Sequence, residues 1–282
     1  MGCGFDLEVR KGSIMGKNTK NGCISIGNTD MYYVSFGSGR RKMVVLPGLS
    51  DGLATVKGKG MILSAPYRSY LKDYTVYMFS RKNSMPEGYS IKDMAEDQVQ
   101  IMDDLGIDKA YVMGVSQGGM IAQYIAIDHP EVVEKLILAV TAPNANEVVK
   151  NVVTGWIDMA KKEDHVKLMM DTAEKMYSRY YLDKNRRVLP LVARLTKPAN
   201  YERFFRNAYA ILDFDVRNEL SKITAPTFII AGSDDKTVGN EAAGELKEGI
   251  AGSEILVYDD LGHGAFEEAK DFYDRVFDFC NK

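Results

Sequence analysis

This chain of 282 residues contains the motif Gly114-Val115-Ser116-Gln117-Gly118, from which much of its fold can be predicted. It follows a short β-favouring run, residues 110–113, and precedes residues 119–126, whose apolar side chains have helical spacing. A G-x-S-x-G motif between a strand and a helix predicts a nucleophile elbow, a tight turn that exposes a serine hydroxyl at strained backbone angles. The two glycines suit this turn because a Cβ would collide with the neighbouring strand and helix. We therefore predict that Ser116 is a nucleophile.

A serine hydroxyl needs a base, and the chain offers three histidines. His263 lies in Leu261-Gly262-His263-Gly264-Ala265, directly after the last predicted strand. Glycines on both sides let this loop carry the imidazole back over the edge of the sheet. His129 closes the elbow helix before a proline and is predicted to lie at the surface, whereas His165 lies in a charged stretch that predicts a solvated side chain. His263 is therefore the predicted base.

The base needs an acid that fixes its tautomer and stabilises the imidazolium. Two adjacent aspartates, Asp234 and Asp235, follow the predicted strand at 227–231. The order Ser, Asp, His along the chain is the order that the elbow motif predicts. The loop after the predicted strand at 133–140 has no carboxylate. We favour Asp235 as the acid, with Asp234 as the alternative or as a loop-forming residue.

The oxyanion that forms when the serine attacks needs preorganised hydrogen-bond donors. One predicted donor is the backbone N–H of Gln117, the residue after the nucleophile. The other is the backbone N–H of Leu49, in the loop 47–52 that follows the third predicted strand. Ser50 and Asp51 are near enough to touch a substrate, but a role in the structure of the loop explains them equally well.

Strands and helices alternate along most of the chain, which predicts an α/β fold with a doubly wound, mostly parallel sheet. Predicted strands cover 23–26, 31–36, 42–46, 75–79, 110–113, 133–140, 227–231 and 254–258, with helices at 61–71, 90–105, 119–126, 147–162, 166–181, 187–195, 201–212, 241–250 and 265–280. The block 144–223 has no convincing strand. We therefore predict a core of 23–143 and 224–282, an inserted helical cap of 144–223 over the strand ends, and an N-terminal extension, 1–22, without an assigned role.

Composition and charge set the broad class of the protein. A hydrophobic content of 45% and a charged content of 27% are ordinary for a globular protein, and a net charge of −3 provides no basic footprint for nucleic acid. The sequence has no apolar run that spans a bilayer, no signal peptide pattern and no basic amphipathic helix, so we expect no membrane partner.

Three widely spaced cysteines predict a reducing compartment, and hence a cytoplasmic protein without a zinc site. We expect neither a metal nor an organic cofactor, and oligomeric state stays open.

These residues resemble the α/β-hydrolase fold family over most of the chain, from the Leu46-Pro47-Gly48 turn to Gly262-His263. The resemblance implies that Ser116, Asp235 and His263 form a triad and that the Leu49 and Gln117 amides bind the oxyanion. Two departures stand out. Family members usually have His-Gly where this chain has Pro47-Gly48, so the side-chain bonds that brace the loop are absent, and Ser80 replaces an aspartate before arginine. We expect the second departure to affect loop structure more than chemistry.

The resemblance leaves several activities open. A serine nucleophile disfavours the dehalogenase and epoxide hydrolase branches, which attack through aspartate. We predict a serine hydrolase that cleaves a small or medium carboxylic ester, thioester or lactone. The alternatives are a C–C bond hydrolase or cofactor-free perhydrolase with the same triad, and a non-catalytic protein that binds a small molecule.

Large apolar residues of the cap predict how a substrate is held. Most of them pack the cap helices together, and those on the inner face predict an adaptable apolar pocket for the acyl or alcohol part of an ester. They are Trp156, Met159, Met169, Met170, Met176, Tyr177, Tyr180, Tyr181, Phe204, Phe205 and Tyr209.

Overall fold

The computed structural model of the protein describes residues 18–282. Its centre is an eight-stranded sheet with the order β1-β2-β4-β3-β5-β6-β7-β8. The strands are β1 (Lys20–Ile26), β2 (Thr29–Gly37), β3 (Arg41–Leu46), β4 (Tyr74–Phe79), β5 (Ala110–Val115), β6 (Val133–Ala139), β7 (Thr227–Gly232) and β8 (Glu254–Tyr258). β2 is antiparallel to both of its neighbours, and all the other neighbouring strands are parallel. The predicted fold class, a doubly wound and mostly parallel sheet, is confirmed.

Helices lie on both sides of this sheet. They are α1 (Gly60–Leu63), α2 (Ile91–Asp104), α3 (Gln117–Asp128), α4 (Glu147–Lys161), α5 (His165–Met176), α6 (Arg179–Asn185), α7 (Leu189–Leu195), α8 (Glu202–Leu212), α9 (Ala242–Gly249), α10 (Ala265–Glu268) and α11 (Phe272–Asn281). A 3-10 turn, Leu49–Gly52, follows β3. Among residues 18–282, no helix is both long enough and apolar enough to cross a membrane.

The central strands form because their side chains are apolar on both faces. β7 is buried at every position, and β6 is buried over its last four residues, as expected where helices cover both sides of a parallel sheet. α2 begins with the capping box that the sequence indicates, since the Asp93 N–H donates to Ser90 Oγ at 3.1 Å and the Ser90 N–H donates to Asp93 Oδ2 at 2.8 Å. Local signals and burial therefore agree in the core.

Three predicted helices are wrong in extent. The helix predicted over 61–71 is the single turn α1 followed by a 3-10 segment, Ala65–Tyr70, with a proline in its first turn. The helix predicted over 166–181 breaks at Tyr177, which is extended, because the Ser178 hydroxyl caps a new helix, α6, by accepting from the Tyr181 N–H at 3.2 Å. The helix predicted over 265–280 breaks at Ala269, which is also extended.

The N-terminal boundary also differs from the prediction. β1 begins at Lys20 and pairs with β2 along its whole length, so residues 20–22 of the predicted extension belong to the sheet. The rest of that prediction, residues 1–17, lies outside the described residues. Between β6 and β7 the chain runs through α4 to α8, which we call the inserted helices, and α8 packs against the 3-10 turn after β3.

Candidate active site

Ser116 occupies a strained turn between β5 and α3. Its φ of 54° and ψ of −120° are unusual for a residue with a side chain, and neighbouring hydrogen bonds hold them. The Ser116 N–H donates to the Ala139 carbonyl at 2.9 Å, and the Thr141 hydroxyl donates to the Ser116 carbonyl at 2.8 Å. A Cβ on Gly118 would lie 2.8 Å from the Pro47 carbonyl oxygen, so this glycine lets α3 approach the loop after β3. The turn has the geometry of a nucleophile elbow.

Three side chains meet at this turn. Ser116 Oγ lies 2.8 Å from His263 Nε2, and His263 Nδ1 lies 2.8 Å from Asp235 Oδ2. The other oxygen of Asp235 accepts hydrogen bonds from the N–H groups of Thr237 at 2.8 Å and Val238 at 3.0 Å. These contacts suit a neutral imidazole that donates from Nδ1 and accepts the serine proton at Nε2.

Of the two adjacent aspartates, Asp235 is the one that meets His263. Asp235 and His263 are both buried, whereas Asp234 is exposed and pairs with Lys236 at 2.9 Å. Asp235 is therefore in place to orient the imidazole, and Asp234 is not.

The other two histidines lie elsewhere. His129 is partly exposed and contacts Glu96 at 3.0 Å. The prediction that His165 is solvated is wrong, because its ring is buried at the start of α5 and packs beside the Tyr201 ring, with centroids 5.9 Å apart. Burial lowers the pKa of His165, and Lys197 lowers it further. The charged residues around it in the sequence did not reveal this packing.

The two predicted oxyanion donors both begin helical segments. Leu49 is the first residue of the 3-10 turn and Gln117 is the first residue of α3, and N–H groups at such positions have no partner within their own helix. A Cβ on Gly48 would lie 3.3 Å from Ser116 Cβ, so the loop after β3 runs directly beside Ser116. This arrangement is suited to binding an oxyanion.

A buried cluster of charges braces the loop after β3. Asp51 Oδ1 accepts from the Ser80 hydroxyl at 2.7 Å, and Asp51 Oδ2 accepts from the Arg81 N–H at 3.0 Å and from Arg203 Nη2 at 2.5 Å. Burial raises the pKa of Asp51, but Arg203 and Arg81 outweigh burial and hold this pKa below its ordinary value. Burial lowers the pKa of Arg81 to about 10, still well above neutral pH. We call Asp51, Arg81 and Arg203 the buried charge cluster.

The buried charge cluster reaches both segments that carry the predicted oxyanion donors. Arg81 Nη2 donates to Gln117 Oε1 at 2.8 Å and to the Gly48 carbonyl at 3.2 Å. Gln117 Nε2 donates to the Asn207 carbonyl of α8 at 2.8 Å. In this loop Pro47 stands in place of the family's histidine. Arg81, which pairs with Asp51, contacts the loop at the Gly48 carbonyl. Sequence reasoning found Asp51 as a loop residue but missed Arg81 and Arg203, because no local signal connects residues so far apart.

The loop that carries His263 meets the inserted helices at the junction of α5 and α6. The Gly264 N–H donates to the Met176 carbonyl at 2.7 Å, and Ser178 donates to Glu268 through its N–H at 2.9 Å and its hydroxyl at 2.5 Å. A Cβ on Gly264 would lie 2.6 Å from the Tyr177 ring, so the glycine is needed for this close approach.

Some of the predicted apolar residues of the insert contact the loops of the candidate site, and others do not. Tyr177 packs against the His263 loop, and Phe204 is buried with its backbone against Gly52 in the loop after β3. Tyr180 and Tyr209 face solvent instead. Among the described residues, no group of His, Cys, Asp or Glu side chains has the arrangement of a metal site.

Comparison with known proteins assigns the fold to a family. The model of the alpha/beta hydrolase fold family matches residues 63–270, about three quarters of the chain. The chain belongs to the alpha/beta hydrolase fold family. Within this family, the AB hydrolase superfamily protein YisY of Bacillus subtilis is 30% identical over 194 residues, which cover 66% of this chain and 71% of YisY.

Two further alpha/beta hydrolases extend the comparison. The 2-hydroxy-6-oxononadienedioate/2-hydroxy-6-oxononatrienedioate hydrolase of Klebsiella pneumoniae is 27% identical over 258 residues, which cover 86% of this chain and 88% of that protein. The crystal structure of the enol-lactonase from Burkholderia xenovorans LB400 superposes with a TM-score of 0.79 at 23% identity, over 93% of this chain and all of the enol-lactonase. The likeness to the enol-lactonase shows the fold alone.

Proposed function

We propose that the protein is a serine hydrolase that cleaves a small or medium carboxylic ester, thioester or lactone. The observation that carries this proposal is the continuous contact from Ser116 Oγ through His263 to Asp235, with 2.8 Å at each step. Support also comes from the strained backbone of Ser116 and from the Klebsiella relative, which is named as a hydrolase. Fold alone would not carry it, since one fold hosts many activities.

In the proposed reaction, Ser116 Oγ forms a bond to the acyl carbon while its proton passes to His263 Nε2. Asp235 stabilises the imidazolium, and the N–H groups of Leu49 and Gln117 bind the oxyanion. The bond to the leaving alcohol then breaks, and the alcohol takes the proton from His263. His263 next removes a proton from water while the water oxygen forms a bond to the acyl carbon. The bond between the acyl carbon and Ser116 Oγ then breaks, Ser116 Oγ takes the proton from His263, and the acid leaves. The reaction needs no redox partner.

We propose that the inserted helices act as a cap over this site. Support comes from their contacts with both catalytic loops, through Met176 and Ser178 on the His263 side and through Arg203 and Asn207 on the Leu49 side. The Tyr177 ring, which packs against Gly264 in the His263 loop, supports a substrate with an apolar acyl or alcohol part.

The test is intact-mass spectrometry after incubation with a fluorophosphonate, followed by assays with short-chain p-nitrophenyl esters. We expect one adduct on the wild type and none on Ser116→Ala or His263→Ala. The adjacent aspartates supply a matched pair, because Asp235→Asn should lower kcat by about 10⁴-fold while Asp234→Asn leaves it nearly unchanged. An adduct retained on Ser116→Ala, or equal losses in the two aspartate variants, would contradict the proposal. An unlabelled wild type without esterase activity would favour a non-catalytic binding protein.

A second candidate is cleavage of an activated C–C bond by the same three residues. It is favoured by the Klebsiella relative, whose name specifies a keto-enol dicarboxylate that contains no ester bond. The assay follows the absorbance of 2-hydroxy-6-oxononadienedioate, the substrate in the name of that relative. Its loss without turnover of p-nitrophenyl esters would favour C–C bond cleavage over ester cleavage.

A further inference from the structure

One face of the inserted helices combines exposed apolar and basic side chains. We call it the α6–α7 face and define it by residues of α6, of α7 and of the segments next to them. Its apolar members are Tyr180, Val188, Leu191, Val192 and Leu195, and its basic members are Arg179, Lys184, Arg186, Arg187, Arg194 and Lys197. All eleven side chains are exposed.

The apolar residues of this face follow a helical stripe that points away from the protein. Residues 188, 191, 192 and 195 have the spacing of one side of a helix, and they are exposed to 54%, 55%, 44% and 77%. Ala193, on the other side of α7, is buried. A stripe with this spacing normally faces the core, and contiguous exposed apolar surface of this kind marks an interaction site.

The charge of the same segment is opposite to that of the whole chain. Residues 179–197 contain six basic residues and one acidic residue, Asp183, whereas the whole chain has a net charge of −3. Two of these cations have acidic partners at the surface, Arg179 with Asp183 at 3.6 Å and Lys197 with Glu163 at 3.3 Å. Glu163 and Asp164 line the same hollow as Arg194 and Lys197 and offset part of the positive charge there. The face still carries more positive than negative charge, and its complement is an anionic surface.

The charges and side chains of the face favour some binding partners over others. A second copy of the same face would bring like charges together, because a two-fold contact pairs each patch with itself. Residues 1–17 do not complement the face, since Arg10, Lys11 and Lys17 outnumber Asp6 and Glu8. The ridge of α7 is aliphatic and basic side chains flank it, which is the arrangement of a helix that lies in a lipid interface.

We propose that the α6–α7 face docks the protein on an anionic lipid surface. Aliphatic side chains of the ridge enter the boundary between headgroups and acyl chains, while the surrounding arginines and lysines lie at the lipid phosphates. Docking through a peripheral face requires no helix that crosses the bilayer. The inference departs from the sequence-based expectation of no membrane partner, and it stands whether or not Ser116 is a nucleophile.

The test measures co-sedimentation of the full chain with vesicles of phosphatidylcholine alone and with vesicles that are half phosphatidylglycerol. We expect binding to the anionic vesicles that weakens strongly between ~0.1 M and ~1 M salt, because screening shortens the range of the attraction. Absence of binding to anionic vesicles at low salt would overturn the proposal.

Two sets of variants locate the binding surface. Leu191→Ser with Leu195→Ser should lower the partition coefficient by about 10-fold or more, because two inserted side chains are lost. Neutralising Arg186, Arg187 and Arg194 to glutamine should lower it by about 100-fold, at roughly fivefold for each cation. Circular dichroism and thermal melting check that the variants remain folded. Binding that is unchanged in both variants would overturn the proposal.

The chain offers a matched control for each set. Met61→Ser with Ile62→Ser removes an apolar pair exposed to 59% and 78% in α1, and a triple glutamine variant of Arg40, Arg68 and Lys72 removes three exposed cations elsewhere. Both controls should bind vesicles like the wild type, and losses equal to those of the face variants would overturn the assignment. Binding to soluble polyglutamate but not to anionic vesicles would assign the face to an acidic protein and overturn the membrane proposal.

Discussion

The inserted helices meet the core at two places that are built differently. On the Leu49 side, Arg203 of α8 joins Asp51 and Arg81, and the side chains of Asp51 and Arg81 are almost completely buried. On the His263 side, the junction of α5 and α6 is held by hydrogen bonds of Met176 and Ser178 at a partly exposed surface.

Because of this difference, a rearrangement should cost more free energy on one side of the proposed site than on the other. Removing one partner of a buried charge cluster leaves an uncompensated charge in a low-dielectric interior. A hydrogen bond that water can replace contributes much less to the free energy of unfolding. Variants of the two contacts should therefore differ in the size of their effect and in their response to pH.

The largest effect is expected for Asp51→Asn. The change leaves Arg81 and Arg203 buried without their carboxylate, and we expect the free energy of unfolding to fall by about 3–5 kcal/mol. Urea unfolding at neutral pH measures the change. In a double variant with Arg203→Met, which removes one of the stranded cations, the loss should be smaller than the sum of the single losses. A loss below about 0.5 kcal/mol for Asp51→Asn would show that the cluster does not stabilise the fold.

The same carboxylate predicts how the stability responds to acid. The pKa of Asp51 is lowered in the folded protein, so its stabilising contribution is complete above the unfolded pKa of about 3.9 and is lost as the pH falls through the folded pKa. The free energy of unfolding, measured in urea, should therefore fall more steeply below about pH 4 for the wild type than for Asp51→Asn. Parallel curves for the two proteins in this range would contradict the assigned pKa direction.

A smaller effect is expected for Arg203→Met, because Asp51 keeps Arg81 as a partner. We expect a loss of stability of about 2 kcal/mol and a decrease in kcat of about tenfold, since Arg203 holds the loop with the proposed oxyanion donor. The KM for a short-chain ester should change little. Arg206→Met is a matched control in the same helix, because Arg206 contacts Glu87 at a more exposed position. A changed KM with an unchanged kcat would place Arg203 at the substrate instead.

The smallest effect is expected for Ser178→Ala on the His263 side. The variant loses the hydroxyl contact with Glu268 and the cap of α6, but keeps the Ser178 N–H bond to Glu268. We expect a stability loss of about 1 kcal/mol and nearly unchanged kcat. Thermal unfolding and ester turnover measure both quantities. A loss as large as that of Asp51→Asn would remove the difference between the two contacts.

The residues of the proposed triad could be found from the sequence because each has a local signal. Ser116 lies in a motif between a strand and a helix, His263 lies between glycines after the last strand, and Asp235 follows the neighbouring strand. In a parallel sheet, the carboxyl ends of the strands meet at one edge, so these signals converge. The local signal is the same for Asp234 and Asp235, because the two residues are adjacent. They are distinguished by their contacts in the structure, where Asp235 contacts His263 and Asp234 contacts Lys236.

The buried charge cluster could not be found in this way. Asp51, Arg81 and Arg203 come from three separate segments, and their pairing depends on how α8 packs on the loop after β3. Ser80 illustrates the same limit, because its hydroxyl donates to Asp51 only when β4 ends beside that carboxylate. The sequence indicates that the family's usual histidine is missing from this loop, and the tertiary structure shows that Arg81 and Arg203 contact the loop.

The amino-acid sequence alone predicts the alternating order of strands and helices, the strained serine turn and the helical nature of the insert. These features depend on hydrophobic periodicity, glycine sterics and capping, which act over a few residues. The direction in which an amphipathic helix faces is decided differently. The stripe at residues 188, 191, 192 and 195 has the period of a buried face, yet it is exposed because Ala193 on the other side of α7 packs inward. The exposed side of α7 therefore depends on how the helix packs in the folded protein, since burial depends on which neighbours cover each face of a helix.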